Sequence, residues 1–167
     1  MYDGKVKFVL EQAGWHEGRK INISKQLTIL EKCGFEVFDI AKKFIQEYDQ
    51  LKLRHTEPFY AKFDNIEPGY DNFDIIQTVS WLLDVPSEYR QIRKERAFWV
   101  RRTNEKTIPI GGLSDWEQTL FITETGKIIT DIIIIGNDIE EGIQNIIKND
   151  SCTFLDESMK KLYEKQV

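Results

Sequence analysis

Three helical patterns run out between residues 10 and 53 before any strand pattern is complete, and the first of them ends in Gly14-Trp15-His16-Glu17-Gly18-Arg19. Helices gathered early and strands gathered late belong to an α+β architecture rather than to alternating β-α-β units. Val6, Val9, Leu10 and Ala13 fall at i, i+3, i+4 and i+7, the apolar stripe of an amphipathic helix. Gly14 stops that helix, because glycine accepts the left-handed conformation that a helix end often needs. Trp15 then stands where a large side chain folds back on the last turn. Arg19 follows four residues on, within reach of a carboxylate or of the free carbonyls at a helix end. An exposed Trp-Arg pair would read as an interface hot spot. A buried anchor locking the first helix to the body weighs more, since an indole covers so much apolar area.

The remaining elements follow in order. Ser24 caps a second helix carrying Leu27 and Leu30, which Gly34 ends with Phe35 behind it. Asp39 caps a third, with Ile40, Ala41, Phe44, Ile45 and Tyr48 on one face. Leu51, Leu53 and His55 alternate with Lys52 and Arg54, and Phe59, Ala61 and Phe63 repeat that period-2 pattern, so a hairpin is expected there. Residues 65–72 read as an acidic loop around Pro68-Gly69. Phe73, Ile76, Val79 and Leu83 then fit a short helix, with Trp81 on another face. Residues 88–98 form a further helical stretch with one wet side.

Ile108-Pro109-Ile110-Gly111-Gly112 is expected as a short edge strand, where proline is tolerated. Residues 120–123 and 128–135 are read as two strands joined by Glu124-Thr125-Gly126-Lys127, the second placed centrally because it is isoleucine on both faces apart from Thr130 and Asp131. Gly136 ends it. Asp138 and Glu141 form a capping box for a helix with Ile139, Ile143, Ile146 and Ile147 on its apolar stripe. Residues 154–163 add a further turn or two. The chain reads as a single domain over residues 1–167, with a central, mainly antiparallel sheet flanked by helices.

Composition bounds the function. With 41% hydrophobic and 31% charged residues the chain is an ordinary globular one, and its longest apolar run, Ile132-Ile133-Ile134-Ile135, is far too short to cross a bilayer. No signal-like pattern opens it, so a cytoplasmic location is expected. Cys33 and Cys152 stand far apart and read as reduced thiols, Cys33 as a small hydrophobe. The histidines, His16 and His55, make no cluster with cysteine at metal-ligand spacing. No phosphate loop and no nucleophile elbow is present. Asp131 is the oddest carboxylate, set among isoleucines, yet such residues more often face solvent or pair with an arginine than catalyse. No enzyme, cofactor or metal is expected.

Charge is unevenly spread. The whole chain carries −5, against nonspecific nucleic-acid binding. Residues 57–76 hold Glu57, Asp64, Glu67, Asp71 and Asp74 against Lys62, while residues 88–106 hold Arg90, Arg93, Lys94, Arg96, Arg101, Arg102 and Lys106 against three glutamates. Two solvated faces would suffice to explain this.

One set of stretches goes further. It comprises Ala13-Gly14-Trp15 through Gly18-Arg19 with Gly34-Phe35-Glu36-Val37-Phe38; Phe44-Ile45 and Glu47 running into Leu51-Lys52-Leu53; and Ile108-Pro109-Ile110-Gly111, Leu120-Phe121-Ile122, Gly126-Lys127 and residues 135–143. In order and spacing these resemble the third family of the SUKH superfamily of bacterial immunity proteins. Glu17 stands where that family often has proline, and Asp49-Gln50 where it usually has a glycine pair.

The resemblance implies an α+β fold and a protein that binds and blocks a cognate toxin, often a nuclease or another effector directed at nucleic acid, with no catalytic residue of its own. It also implies that Gly14, Trp15, Gly18, Arg19, Pro109 and Gly111 are scaffold. Toxins of that kind carry basic clefts, which an acidic surface can enter. The expected contact residues are therefore Glu57, Asp64, Glu67, Asp71 and Asp74, with Tyr60 and Tyr70 as aromatic anchors. The alternatives are a non-catalytic scaffold or regulatory interaction module, and a nucleic-acid binder using the basic stretch with Trp99.

Overall fold

The structure is a computed structural model that describes residues 2, 4–54, 70–83, 103–113, 118–148 and 153–154. Its elements are α1 (Gly4–Gln12), α2 (Ser24–Lys32), α3 (Asp39–Tyr48), β1 (Leu51–Arg54), β2 (Tyr70–Phe73), α4 (Ile75–Leu83), β3 (Thr107–Leu113), β4 (Gln118–Thr123), β5 (Ile128–Ile129), β6 (Ile133–Gly136), α5 (Ile139–Lys148) and β7 (Thr153–Phe154). Among the described residues the seven strands form one sheet in sequence order, every neighbouring pair antiparallel. The α+β class and the antiparallel sheet agree with the reading of the sequence.

The apolar stripes fall where their periods put them. Val6, Val9 and Leu10 of α1, Ala41, Phe44, Ile45 and Tyr48 of α3, and Ile143, Ile146 and Ile147 of α5 are all buried. They join Leu51, Leu53, Phe73, Ile108, Ile110, Leu120, Ile122, Ile128 and Ile135 from one face of the sheet in a single core. On the other face the paired residues Phe121 and Ile129, with Ile134, make a smaller cluster. Within the helical layer, α1 packs against α5 and β1, α2 against α4, and α4 against β3.

Several expectations are corrected. The strand that pairs with β1 is β2, with Leu51 opposite Phe73 and Arg54 opposite Tyr70, so residues 70–72 are sheet rather than loop. The expected strand of Phe59, Ala61 and Phe63, the basic helix over residues 88–98, His55 and Cys152 lie outside the described residues. In α4 it is Ile75 and Val79 that are buried in the core, while Ile76 is half-buried and Phe73 belongs to β2. Neither Ser24 nor Asp39 is an N-cap. Ser24 is the first helical residue, and Asn22 Oδ1 accepts from its N–H (3.0 Å) and its hydroxyl (2.8 Å). Asp39 opens α3 from inside, where its charge suits the helix dipole and pairs with Lys42.

Two further corrections concern the sheet. The isoleucine run folds back on itself: β5 and β6 are antiparallel neighbours joined through Thr130, Asp131 and Ile132. The Thr130 hydroxyl oxygen accepts from the N–H groups of Ile132 and Ile133, each at 3.3 Å, which makes the polar break in the run a turn. Then β3 is not an edge. It lies between β2 and β4, and Pro109 is accommodated there because the register shifts between Pro109 and Gly111. A bulge is the other place where a sheet tolerates a residue that cannot donate. The tail reading is replaced at its start by β7, which pairs with β6.

Candidate functional site

The segment after α1 is built as the sequence suggests. Gly14 has φ +97°, its N–H meets the Glu11 carbonyl at 3.0 Å, and the Trp15 N–H reaches back to the Leu10 carbonyl at 2.9 Å. This is a six-to-one helix closure that only a left-handed residue completes. The closure aims Trp15 inward, to 8% exposure, with its ring edge-on to Tyr2 at 5.7 Å. The indole N–H donates to Glu47 Oε1 at 3.1 Å. After a second left-handed glycine, Gly18 (φ +74°), Arg19 donates from Nη1 to the Glu47 carbonyl at 2.5 Å and from Nη2 to the Asp49 carbonyl at 2.9 Å. Those carbonyls stand at the C-terminal end of α3, where the helix leaves them unpaired. Burial lowers the Arg19 pKa, against the opposing charges of Asp49 and Glu47.

Three further polar side chains of this hub have partners that no local sequence pattern names. Tyr2 and Tyr48 share a hydroxyl–hydroxyl bond of 2.8 Å, and burial pushes both phenols well above the usual range. Asp49 is fully buried, accepting at Oδ2 from Gln26 Nε2 (2.7 Å) and at Oδ1 from the Ile75 N–H (2.8 Å). Burial raises its pKa, the hydrogen bonds from Ile75 and Gln26 oppose that, and the charge of Asp74 adds to it. One carboxylate thus joins α2, the end of α3 and the first residue of α4.

The acidic residues separate. Glu57, Tyr60, Asp64 and Glu67 lie outside the described residues, and Tyr70 opens β2. Asp71 is the correction: it pairs with Leu53 on the core side of the sheet at 2% exposure, so alternation places its carboxylate inside rather than on a partner surface. Asp74 is half-buried and caps α4, its Oδ1 accepting from the Gln77 N–H at 2.8 Å. Pro109 and Gly111 flank the bulge of β3, and a Cβ on Gly111 would lie 1.9 Å from the Asn72 carbonyl oxygen.

A second cluster closes the β4–β5 hairpin. Glu105 accepts from the Lys127 ammonium and, at 2.5 Å, from the Thr125 hydroxyl. Burial alone would raise the Glu105 pKa. The bonds from Lys127, Thr125 and Thr123 outweigh it and bring the carboxyl down to about 2. His16 is exposed, Cys33 is half-buried with its thiol pushed up by burial, and Asp131 is half-buried in the β5–β6 turn. Among the described residues no group of three or more His, Cys, Asp or Glu could hold a metal ion. Among the same residues no helix is long and apolar enough to cross a membrane.

No curated protein and no solved structure matches the chain. A family model does, over residues 2–149, and its description is SUKH-3 immunity protein.

Proposed function

The chain belongs to the SUKH-3 immunity protein family, and from that premise we propose that it binds a cognate bacterial protein toxin and neutralises it by blocking its active site. The observation that carries this reading is the extent of the match, residues 2–149, which takes in every described helix and all but the last strand of the sheet. The toxin is a nuclease or another effector directed at nucleic acid. The immunity protein acts as a single, non-catalytic domain in the cytoplasm of the cell that makes the toxin.

The surface we assign to contact is acidic: Glu57, Asp64 and Glu67 with Tyr60 and Tyr70, joined by Asp74. Apart from the buried Asp71, residues 57–76 hold four acidic residues against Lys62, a net −3. A basic cleft that binds phosphate is electrostatically complementary to such a stretch, which steers association and excludes nucleic acid. The segment adjoins the paired residues Arg54 and Tyr70 of β1 and β2. Trp15 and Arg19 are engaged within the chain itself and leave recognition to other residues.

The test is co-expression with the cognate toxin, scored as survival of the producing cell, followed by the affinity of the purified pair. Reversing Glu57, Asp64 and Glu67 together to lysine weakens binding at least tenfold and flattens its salt dependence. Unchanged affinity and salt slope would move the contact surface elsewhere. Failure of the unaltered protein to rescue growth or to bind would remove the toxin reading and leave an interaction module of another kind.

A further inference from the structure

Asp49 and Gln26 make a buried polar pair with one atom left over. Asp49 is 0% exposed and Gln26 2%. Gln26 Nε2 sits 2.7 Å from Asp49 Oδ2, while Gln26 Oε1 is buried with no hydrogen-bond partner. Arg19 binds the Asp49 carbonyl and not its carboxylate. A buried acceptor left unpaired carries a desolvation cost that no bond offsets.

We propose that Asp49 and Gln26 form a proton-operated two-state pair at the junction of α2, α3 and α4. With Asp49 ionised, both its oxygens accept, from Gln26 Nε2 and from the Ile75 N–H, as the structure has them. A proton added at Oδ2 sets two donors against each other. Turning the Gln26 amide by half a turn relieves that opposition: Oδ2–H then donates to Oε1, the atom now unpaired, Oδ1 keeps the Ile75 N–H, and the Nε2 donors take the place that Oε1 leaves. A separation of 2.7 Å suits an O–H···O bond as well as it suits a charge-assisted N–H···O one.

The charged groups that face the pair decide where the exchange happens. Asp74, at the start of α4, disfavours the ionised form, and burial does so more strongly. Arg19, bonded to the carbonyls of Glu47 and Asp49 at the end of α3, favours it. Burial and Asp74 prevail, so the carboxyl holds its proton to a higher pH than an ordinary aspartate. The exchange is independent of the toxin reading.

The test is a pH titration of the full chain by NMR, following the Asp49 13Cγ shift and the Gln26 side-chain amide peaks, assigned by their loss in Gln26→Met. The Asp49 midpoint is expected above the ordinary aspartate value of ~3.9, with the Gln26 peaks moving at the same midpoint. Asp49→Asn carries a donor where the protonated acid does, so its Gln26 peaks are expected at the wild-type low-pH positions and independent of pH. A midpoint at or below the ordinary value, Gln26 peaks that stay still through it, or unfolding before Asp49 titrates would each overturn the proposal. The wild-type titration decides even where Asp49→Asn fails to fold.

Discussion

Trp15 donates its indole N–H to Glu47 Oε1 at 3.1 Å, across 32 positions of sequence. The same residue of α3 also receives Arg19, but through its backbone carbonyl. The two attachments can therefore be removed separately.

Trp15→Ala is expected to destabilise the fold by about 3–5 kcal/mol, the range for deleting a large buried aromatic. Trp15→Phe keeps most of the area and loses the N–H, so about 1–2 kcal/mol is expected. Urea denaturation followed by far-UV circular dichroism measures both. Glu47→Ala removes the acceptor without touching the carbonyl that holds Arg19. Combined with Trp15→Phe it should cost clearly less than the two single changes added together, because both delete the same bond.

Arg19 closes the C-terminal end of α3 with a planar fork reaching two carbonyls, 2.5 and 2.9 Å away. Lysine brings the charge but not the fork. Arg19→Ala is expected to cost about 2 kcal/mol, and Arg19→Lys to recover less than half of that. Full recovery by lysine would mean that charge near the helix end, rather than the paired bonds, is what matters. The measurement is again the urea midpoint, with the slope checked for constancy.

These attachments show what sequence reasoning reaches. The stripes of α1, α3 and α5, the glycine closure ahead of Trp15 and the Asp138 cap, whose Oδ1 accepts from the Glu141 N–H at 2.8 Å, are written within a few residues and were legible. Asp49 was not, because its partners Gln26 and Ile75 lie 23 and 26 positions away and no local pattern names them. Asp71 misled for a related reason: a carboxylate beside Pro68-Gly69 reads as loop until its pairing with Leu53 is known. Pro109 carried a true signal with two structural solutions, edge or bulge, and only the neighbouring strands choose between them.

Acid should loosen the β4–β5 hairpin. The Glu105 carboxyl stands at about 2 in the fold, below the ordinary value of 4.5. A depressed acid contributes stability that is fully present above the unfolded value and is lost as pH falls through the folded one. The window is thus pH 4.5 down to 2. After allowance for solvent screening the contribution is on the order of 1 kcal/mol. Melting temperatures of the wild type and Glu105→Gln should differ at pH 6 and converge toward pH 2. A constant difference across that range would assign the stability to something other than the charge.

Gly111 is expected to reject any side chain. The Cβ of an alanine there would lie 1.9 Å from the Asn72 carbonyl oxygen and 2.9 Å from its carbon, which are backbone atoms of β2 and cannot rotate away. Strand β3 would have to separate from β2 or move along it. Gly111→Ala should cost at least the 1–3 kcal/mol of ordinary overpacking, and hydrogen exchange should show it first in the amides of β2 and β3.

Asp49 and Gln50 occupy neighbouring positions where the resemblance leads one to expect two glycines, and the structure makes them answer differently. Gln50 has φ +68°, a left-handed conformation that a side chain adopts at a cost of about 1–2 kcal/mol, and its N–H is held to the Phe73 carbonyl at 2.6 Å. Glycine removes that strain and gives back about 0.5–1 kcal/mol in chain entropy. Gln50→Gly should therefore stabilise by about 0.5 kcal/mol, while Gln50→Ala, equally strained, should change little. Asp49 has φ −58° and needs no glycine. Its carboxylate instead holds Gln26 and the first N–H of α4. Asp49→Gly should destabilise by about 2–4 kcal/mol, because it leaves both donors buried without a partner. Opposite signs at adjacent residues, read from two urea curves, are the expected result. If both glycines stabilise, the Asp49 carboxylate is a burden that this chain tolerates rather than a joint that it uses.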